Sequence, residues 1–379
     1  MKRIAGFFWR EKMLTLSLLA AVVALIITPV SPGQLLEIDW RTLGNLMMML
    51  CVLEGVKKER LLRPVEGLAS RLRTMPALSL FLIFGVFFSS MFVTNDVSLI
   101  IFVPLTIQLF RQGGKERYLL PVLAMENIAA VRGSLLTPFG SPQNLFLYGQ
   151  LDITAGRFML HMLPLSLLSA GLLVEFVFFL FRKDAQEKAP CRPEKQGWSP
   201  QGRKRRGIYG ALFVLVIAGI VSRTRLWPVL LVVVVGVIAL TDRSLLRRVD
   251  YVLLATFLCF FVFSSAVAAH PGIAALLKRA VAGNEYFWAI GLSQAISNVP
   301  ATIVLYPFTE NVSGLIYGAD TAGLCSIIGS LASVINYRIY VREYPGDGKN
   351  FLRVFTLTSW AFFVLVVVPG YLLCRWPFR

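Results

Sequence analysis

The sequence predicts an all-α polytopic membrane protein built from two repeats of inverted topology. Three observations predict this fold: an excess of apolar residues, their grouping into runs of membrane length, and polar motifs that recur in both halves of the chain. Hydrophobic residues make up 56% of the 379 residues and charged residues only 16%, whereas soluble domains have about 45–50% and about 25%. A water-soluble fold would leave much of this apolar surface exposed, so a membrane environment is expected.

Seven apolar runs predict membrane-spanning helices, because each is close to the roughly 20 residues that a helix needs to cross a bilayer. Four further regions are interrupted by polar clusters, which persist in a membrane only where they line a cavity or are buried in protein. We interpret 76–110 and 286–318 as re-entrant helical hairpins, and 117–150 and 322–340 as broken helices. The broken helices and the seven runs make about nine full crossings; the runs are 13–30, 40–56, 158–181, 207–222, 226–241, 249–268 and 351–374.

The distribution of Lys and Arg predicts the orientation. With the N-terminus in the cytoplasm and the C-terminus outside, the cytoplasmic segments hold 29 of the 38 Lys and Arg residues and the outer segments hold seven. Such a bias is typical of an inner (cytoplasmic) membrane protein, and it explains most of the net charge of +17 without nucleic acid as a partner. The basic stretch 182–206 predicts a cytoplasmic linker between a first repeat, 1–181, and a second repeat, 207–379.

Polar motifs recur in the same order in the two halves. Five positions match at a constant separation of 203 residues. They are Ser90, Thr94, Asn95, Pro104 and Thr106 in the first half, and Ser293, Ser297, Asn298, Pro307 and Thr309 in the second. One match upstream and one downstream have separations of 211 and 189 residues, which implies a duplicated unit. These matches are Asp39-Trp40 with Asp250-Tyr251 and Gly140-Ser141 with Gly329-Ser330.

The two copies are predicted to be inverted, because five crossings, an odd number, lie between Asp39 and Asp250. Inverted repeats with broken helices at corresponding positions indicate a secondary transporter with a site near the bilayer midplane. This parity requires residues 207–241 to form two helices that are separated near Arg223. A single helix there would spoil both the parity and the charge bias.

Two of the matched motifs lie at the predicted turns of the hairpins. Thr94 and Asn95 belong to the first turn, and Ser297 and Asn298 belong to the second. Side chains of these types cap a following helix, whose free N–H groups suit an anion, while the carbonyls that end the preceding helix suit a cation. We therefore predict that these residues bind the transported solute. The alternative is that they only cap buried turns.

A second polar cluster lies within each predicted broken helix. Two Pro and two Gly residues within 133–144 cannot continue an ordinary helix. The cluster contains more polar groups than a kink requires, although a kink filled by hydroxyl groups is the alternative. The predicted solute-binding residues of this cluster and of its counterpart are Thr137, Gly140, Ser141, Asn144, Gly329 and Ser330.

Charged residues within the predicted membrane segments are expected to be functional, since each costs about 2.5–3.5 kcal/mol at the centre of a helix. Arg132 is predicted to hold the charge of an anion, or alternatively to form a structural ion pair with Glu126 or Asp96. We assign the coupling ion, Na⁺ or H⁺, to Asp96 and Glu126 together with Asn95 and Asn298. All three charged residues lie in the first half, so we expect such charges in one repeat only.

At these motifs the sequence resembles the ion transporter superfamily. This superfamily includes citrate-transporter-like proteins, divalent-anion/sodium symporters, arsenite efflux permeases and one branch of sodium/proton antiporters. The residues that carry the resemblance are Thr94 to Val97, Leu136 to Asn144 and Ser297 to Ala301.

The resemblance implies a homodimer and a transport unit that moves across the membrane like an elevator. In the symporters two Ser-Asn-Thr motifs bind Na⁺ and substrate carboxylates. Here Asp96 and Val299 replace the last Thr of the two motifs. The Asn-Asp pair is closer to the arsenite permeases, and an acidic residue at this position favours proton coupling.

The predicted function is secondary active transport of a small anion, either a di- or tricarboxylate such as citrate or an inorganic oxyanion such as arsenite. Its partners are the anion and the lipid bilayer, and no cofactor or metal other than Na⁺ is predicted. A cation/proton antiporter and a passive channel are the alternatives within transport. A membrane-embedded enzyme is disfavoured, because His161 and His270 have no partner at ligand spacing.

Overall fold

The computed structural model describes residues 11–28, 38–59, 61, 68–69, 72–189, 201–376 and 378. These residues form sixteen α-helices and no β-strand, so the predicted all-helical class is confirmed. The helices are α1 (Lys12–Ile27), α2 (Trp40–Lys58), α3 (Met75–Val93), α4 (Asn95–Gln112), α5 (Leu119–Ser134), α6 (Pro142–Gln150), α7 (Ala155–Leu180), α8 (Gln201–Val221), α9 (Trp227–Leu246), α10 (Tyr251–Ala269), α11 (Pro271–Val281), α12 (Glu285–Ile296), α13 (Asn298–Leu305), α14 (Val312–Ala322), α15 (Leu331–Glu343) and α16 (Gly348–Leu373).

Five of these helices are long and apolar enough to cross a membrane, namely α3, α7, α9, α10 and α16. They identify the chain as a multi-pass membrane protein. α3 belongs to the first predicted hairpin, yet its 19 residues measure about 28 Å, nearly the thickness of the hydrocarbon core. The count of nine crossings stays a prediction. The start of α3 and the end of α4 both lie beside Glu187. The pair therefore enters and leaves at the same end of the bundle, and the predicted sides of the other segments do not depend on how far α3 extends into the membrane.

The helices pack as two groups. In the first group, α2 packs against α8 and α9, and α10 packs against α1. The second group comprises α3 to α7 and α12 to α16, in which α5 packs against α3 and α14 packs against α12. Contacts between the groups include α10 with α13 and α2 with α6. The shorter helices of the second group therefore face the longer helices of the first.

Two helix pairs in the second group have the same sharp break between their arms. α3 is followed by α4, and α12 is followed by α13, with one residue between the arms of each pair. That residue is Thr94 in the first pair (φ 73°, ψ 156°) and Ser297 in the second (φ 69°, ψ 158°). A positive φ is uncommon for residues other than glycine, so this shared conformation makes the two breaks structural counterparts.

The two pairs enter the bundle from opposite ends. Beside the open end of the first pair, Tyr340 donates a hydrogen bond to Asp347, which precedes α16. Beside the open end of the second pair, the side chain of Asn311 donates to the carbonyl of Cys374, which follows α16. The 26 residues of α16 separate these ends by about 39 Å. The tips of the pairs therefore approach each other from opposite faces.

Several ion pairs among the described residues join segments that the charge distribution puts on the same side. On the predicted cytoplasmic side, Arg111 lies 3.2 Å from Glu343 and Arg117 lies 3.2 Å from Glu187, among others. On the predicted outer side, Arg223 lies 3.7 Å from Asp152 and Lys278 lies 3.3 Å from Glu310. These contacts agree with the predicted sidedness of the loops.

Residues 207–241 contain two helices, as the predicted parity requires. α8 ends at Val221 and α9 begins at Trp227. Arg223 lies between them with a φ of 51°, which an α-helix cannot accommodate. α8 begins six residues before the predicted start of the second repeat.

The second half differs from the prediction in its boundaries. Asn311 caps α14, because its side chain accepts a hydrogen bond of 3.0 Å from the N–H of Gly314. The second pair therefore ends before the predicted boundary at 318, and the second broken helix, α14 and α15, runs over 312–343 rather than 322–340. The amphipathic helix α11 lies between the predicted span 249–268 and the predicted hairpin 286–318, and its 11 residues are too few to span a membrane.

The predicted linker, 182–206, is partly packed. The N–H of Ala189 donates to the carbonyl of Arg73 at 2.9 Å, and the N–H of Met75 donates to the carbonyl of Glu187 at 2.8 Å. The first eight residues of the linker are therefore attached to the base of α3. Residues 190–200 lie outside the described residues.

Glycines allow the broken helices to approach the paired helices closely. A Cβ on Gly133 of α5 would lie 2.0 Å from the carbonyl oxygen of Phe87 on α3. A Cβ on Gly318 of α14 would lie 2.4 Å from the carbonyl oxygen of Tyr286 on α12. Both contacts are with backbone, which cannot turn aside as a flexible side chain can.

We expect Gly133→Ala and Gly318→Ala to destabilise the protein by about 1–3 kcal/mol each, the usual effect of overpacking. The measurement is the apparent melting temperature of the detergent-solubilised protein. Gly171→Ala on α7 is the matched control, because no atom lies within 4 Å of its added Cβ. Melting temperatures of the Gly133 and Gly318 variants equal to that of the control would contradict the close approach.

Candidate functional site

A cavity of about 400 Å³ lies where the two helix pairs meet, and we call it the tip cavity. The first turns of α4, α6, α13 and α15 all line it. The first group closes the other side through α10 and the residues at the start of α1. The tip cavity is therefore bounded by both helix groups.

The tip cavity brings together five of the residues that the sequence singles out. They come from both tips and from the start of α15, although hundreds of residues separate them in the chain. These residues are Asn95, Asp96, Ser297, Asn298 and Ser330. Their roles as ligands stay predictions, and their convergence on one cavity is what such roles require.

The second tip is tied to the second broken helix. The N–H of Asn298 donates to the carbonyl of Gly329 at 3.1 Å, and its side-chain amide donates to the carbonyl of Ala319 at 3.4 Å. In the first tip, the side-chain oxygen of Asn95 accepts from the N–H of Asp96 at 2.9 Å. Asn298 therefore faces the cavity while its amide groups hold the tip in place.

The break between α5 and α6 is held by Asn144, which lies outside the lining of the tip cavity. Its amide nitrogen donates to the carbonyls of Ser134 at 3.3 Å, Leu135 at 3.1 Å and Thr137 at 3.4 Å. The backbone groups freed by the break are thereby satisfied within the protein. In this conformation the structural alternative fits Asn144 better than contact with a solute.

The other predicted residues of the broken helices have similar structural contacts. Thr137 donates its hydroxyl to the carbonyl of Met91, and Ser141 caps α6. A Cβ on Gly140 would lie 2.4 Å from the carbonyl oxygen of Ser134, and one on Gly329 would lie 2.3 Å from that of Ala322. These residues shape the breaks, and they do not line the tip cavity. Thr94 does not line it either.

Arg132 is fully buried and lies away from the tip cavity. Its Nε donates to the hydroxyl of Ser169 at 3.0 Å, and its Nη1 donates to the carbonyl of Asp320 at 3.2 Å. The predicted alternative, an ion pair with Glu126 or Asp96, does not occur. Glu126 instead accepts a hydrogen bond from Thr106. In this conformation an anion in the tip cavity would touch neither Arg132 nor Glu126.

Membrane-embedded charges are not confined to the first half. Asp320 is fully buried near the end of α14, and its Oδ1 accepts from the side-chain amide of Gln143 at 2.9 Å. Arg132 and Asp320 are each the third residue from the end of their helices. The predicted hairpin ends at 318 and the predicted broken helix begins at 322, so Asp320 was left in the loop between them. The run from Val312 to Ala322 contains Asp320 as its one charge and was the signal that could have identified it.

Charged residues that the sequence analysis did not assign to the site also line the tip cavity. Glu11 and Asp250 add carboxylates to that of Asp96, and Arg338 adds a guanidinium. Asp250 caps α10 by accepting from the N–H of Leu253 at 2.9 Å. Asp39 caps α2 in the same way through the N–H of Thr42, also at 2.9 Å. Asp250 is thus the structural counterpart of Asp39 in the second half, and it also lines the tip cavity.

Among the residues that the structure describes, no cluster of three His, Cys, Asp or Glu residues could hold a metal ion. The polar groups of the tip cavity are hydroxyls, amides, carboxylates, one guanidinium and helix N-termini. Such a cavity, at the meeting point of two helix breaks inside an apolar bundle, defines a membrane transporter.

The chain belongs to the CitMHS family, described as citrate transporters, whose family model matches residues 4–314. This membership confirms the resemblance that the hairpin motifs indicate, and it identifies the chain as a transporter. Two relatives extend over most of the chain. The inner membrane protein YbiR of Escherichia coli K12 is 30% identical over 313 residues, which cover 80% of each chain.

The second relative is the uncharacterized transporter MJ0456 of Methanocaldococcus jannaschii. It is 28% identical over 326 residues, which cover 84% of this chain and 86% of the relative.

We expect Asn144→Ala to lower the melting temperature, because it leaves buried carbonyls without a donor. An unsatisfied buried group of this kind costs about 1–3 kcal/mol of stability. Asn284→Ala is the matched control, since Asn284 is exposed and its side chain makes no capping hydrogen bond. Thermal unfolding in detergent measures both variants. Unchanged stability of Asn144→Ala would show that the break does not depend on this amide.

Proposed function

We propose that this protein is a secondary active transporter that carries a small carboxylate anion of the citrate type, bound in the tip cavity and coupled to Na⁺ or H⁺. The observation that carries the proposal is the convergence of four helix N-termini on one cavity. Membership of the citrate transporter family supports the choice of a carboxylate over an inorganic oxyanion.

Helix N-termini suit an anion because the N–H groups of the first turn together give each N-terminus about half a positive charge. α4, α6, α13 and α15 all begin at the tip cavity. Arg338 adds a full positive charge that can pair with a carboxylate. In our proposal the anion contacts Arg338, Ser330 and the tip residues, rather than Arg132.

Carboxylates in the same cavity support coupling to a cation. Asp96, Asp250 and Glu11 would repel an anion unless a cation or protons neutralise them. Binding of the anion is thereby favoured when Na⁺ or H⁺ is bound, which is the requirement for symport. The same acids favour the second candidate, a cation/proton antiporter, in which the cavity holds no anion.

The matched breaks support an inverted duplication with repeats at 1–181 and 207–379. Both tips have the same backbone conformation, and the two pairs enter from opposite ends of α16. We propose that the group α3–α7 and α12–α16 moves against the group α1, α2 and α8–α10, in an elevator-like step. The homodimer, nine crossings and a cytoplasmic N-terminus belong to the same proposal, and the name of YbiR supports location in an inner membrane.

We expect citrate or a related di- or tricarboxylate to raise the melting temperature only with Na⁺ or at low pH, since a ligand of the folded state stabilises it. The measurement is the melting temperature of the purified protein with citrate, succinate, sulfate or arsenite. Each anion is tested with Na⁺ and with K⁺ at two pH values. Uptake of the stabilising anion against its gradient into proteoliposomes distinguishes active transport from a channel.

The variants Asn95→Ala and Asn298→Ala should abolish the rise in melting temperature that the anion causes. Asn284→Ala, which lies outside the cavity, should retain it. If Na⁺ or pH alone shifts the melting temperature, no anion does, and Asp96→Asn removes the response, the protein is a cation/proton antiporter. An anion shift that survives both tip variants would place the site elsewhere.

A further inference from the structure

A second cavity, of about 360 Å³, lies at the other end of helices that line the tip cavity. α6, α10 and α13 contribute to both, with their first turns at the tip cavity and their last turns at or beside the second cavity. We call it the C-terminal cavity. Its polar lining consists of Asp39, Gln150, Ser264, Ser265 and Tyr306.

The helix ends at the C-terminal cavity favour a cation. A helix C-terminus carries about half a negative charge, and three such ends face this cavity, against the single N-terminus of α2 that Asp39 caps. The carboxylate of Asp39 adds to them, and no Lys, Arg or His is among the described residues that line this cavity. Arg223 lies nearby but is already engaged, since it donates to the carbonyl of Tyr148 and lies 3.7 Å from Asp152.

A thin aromatic layer separates the two cavities. On α10, Phe257 lines the tip cavity and Phe261, about one turn later, lines the C-terminal cavity. The ring of Phe146 lies 5.5 Å from that of Phe261 and 5.4 Å from that of Tyr306. The two cavities are therefore neighbours along the same three helices.

Asp39 is held in position with acceptor capacity to spare. Its Oδ1 accepts from the N–H of Thr42, and its Oδ2 accepts from the Thr42 hydroxyl at 2.5 Å and from the amide of Gln150 at 2.7 Å. A carboxylate offers about four acceptor sites, so one stays open. Hydroxyls of Ser264, Ser265 and Tyr306 line the same cavity, although Ser264 already donates to the carbonyl of Ile303.

We propose that the C-terminal cavity recruits a monovalent cation. One carboxylate with neutral oxygens suits a singly charged ion, whereas divalent ions take several carboxylates. The proposed function places the coupling ion at the carboxylates of the tip cavity, so delivery of this cation to that site is what rests on the proposed function. The electrostatic preference of the cavity does not, so the two can be tested separately.

The test compares the rates at which two thiol reagents, one with a trimethylammonium group and one with a sulfonate, modify Ser265→Cys. The background has the five native cysteines replaced by Ala or Ser. We expect the cationic reagent to react about tenfold faster or more, relative to a free thiol, as in other clefts of one charge sign. Na⁺ should slow this reaction more than choline does at equal ionic strength.

Asp39→Asn should reduce the preference at Ser265→Cys by at least half, while Asn keeps the cap of α2. Asp250→Asn is the matched control, because it changes the equivalent cap at the tip cavity and should leave the ratio unchanged. A faster anionic reagent, no reaction with either reagent, or protection by Mg²⁺ but not by Na⁺ would overturn the proposal. The rates are measured without substrate, so failure of the anion hypothesis leaves this result intact.

Discussion

The site depends on one constraint, the need to satisfy backbone groups wherever a helix is interrupted away from water. Each break frees N–H and C=O groups that lipid cannot bond. Asn144 supplies donors to three carbonyls of the first broken helix. At the second break, the side-chain amide of Gln294 donates to the carbonyl of Ala322 at 3.2 Å, and the N–H of Asn298 donates to the carbonyl of Gly329 at 3.1 Å. With these groups satisfied inside the protein, the helix starts at the tips are left to face the cavity.

The same constraint accounts for the buried charges that do not reach the tip cavity. Arg132 holds the carbonyl of Asp320, and the carboxylate of Asp320 holds the amide of Gln143, at the start of α6. This chain links α5 and α6 of the first half to α14 of the second half. A buried charge with polar partners on several helices fixes their relative position, since removal of one partner leaves the others unsatisfied. Arg132 and Asp320 therefore position helices that line the tip cavity, although neither residue lines it.

The sequence predicts the all-helical class, the turns of both helix pairs and the separation of α8 from α9, because each depends on local signals. Polar residues within apolar runs, such as Asn95 and Asn298, mark a break wherever they occur. Asp250 and Arg338 could not be assigned to the site in this way, since they reach it only through the packing of α10 and α15. Asp320 was missed for another reason, because the predicted hairpin ran on to 318, past the polar run Thr309 to Asn311 that ends the second pair.

The reciprocal packing of the two halves bears on how such a protein originates. α4 of the first half packs against α15 of the second, and α6 of the first half packs against α13 of the second. Neither half contains a complete tip cavity, since each supplies one tip and the first turn of the second segment of one broken helix. On the proposed duplication, an ancestral single copy would have completed this cavity only with a second copy inserted in the opposite orientation. Fusion of the two copies fixes their ratio at one to one and frees each to diverge, as the pairing of Arg132 in one half with the main chain of Asp320 in the other illustrates.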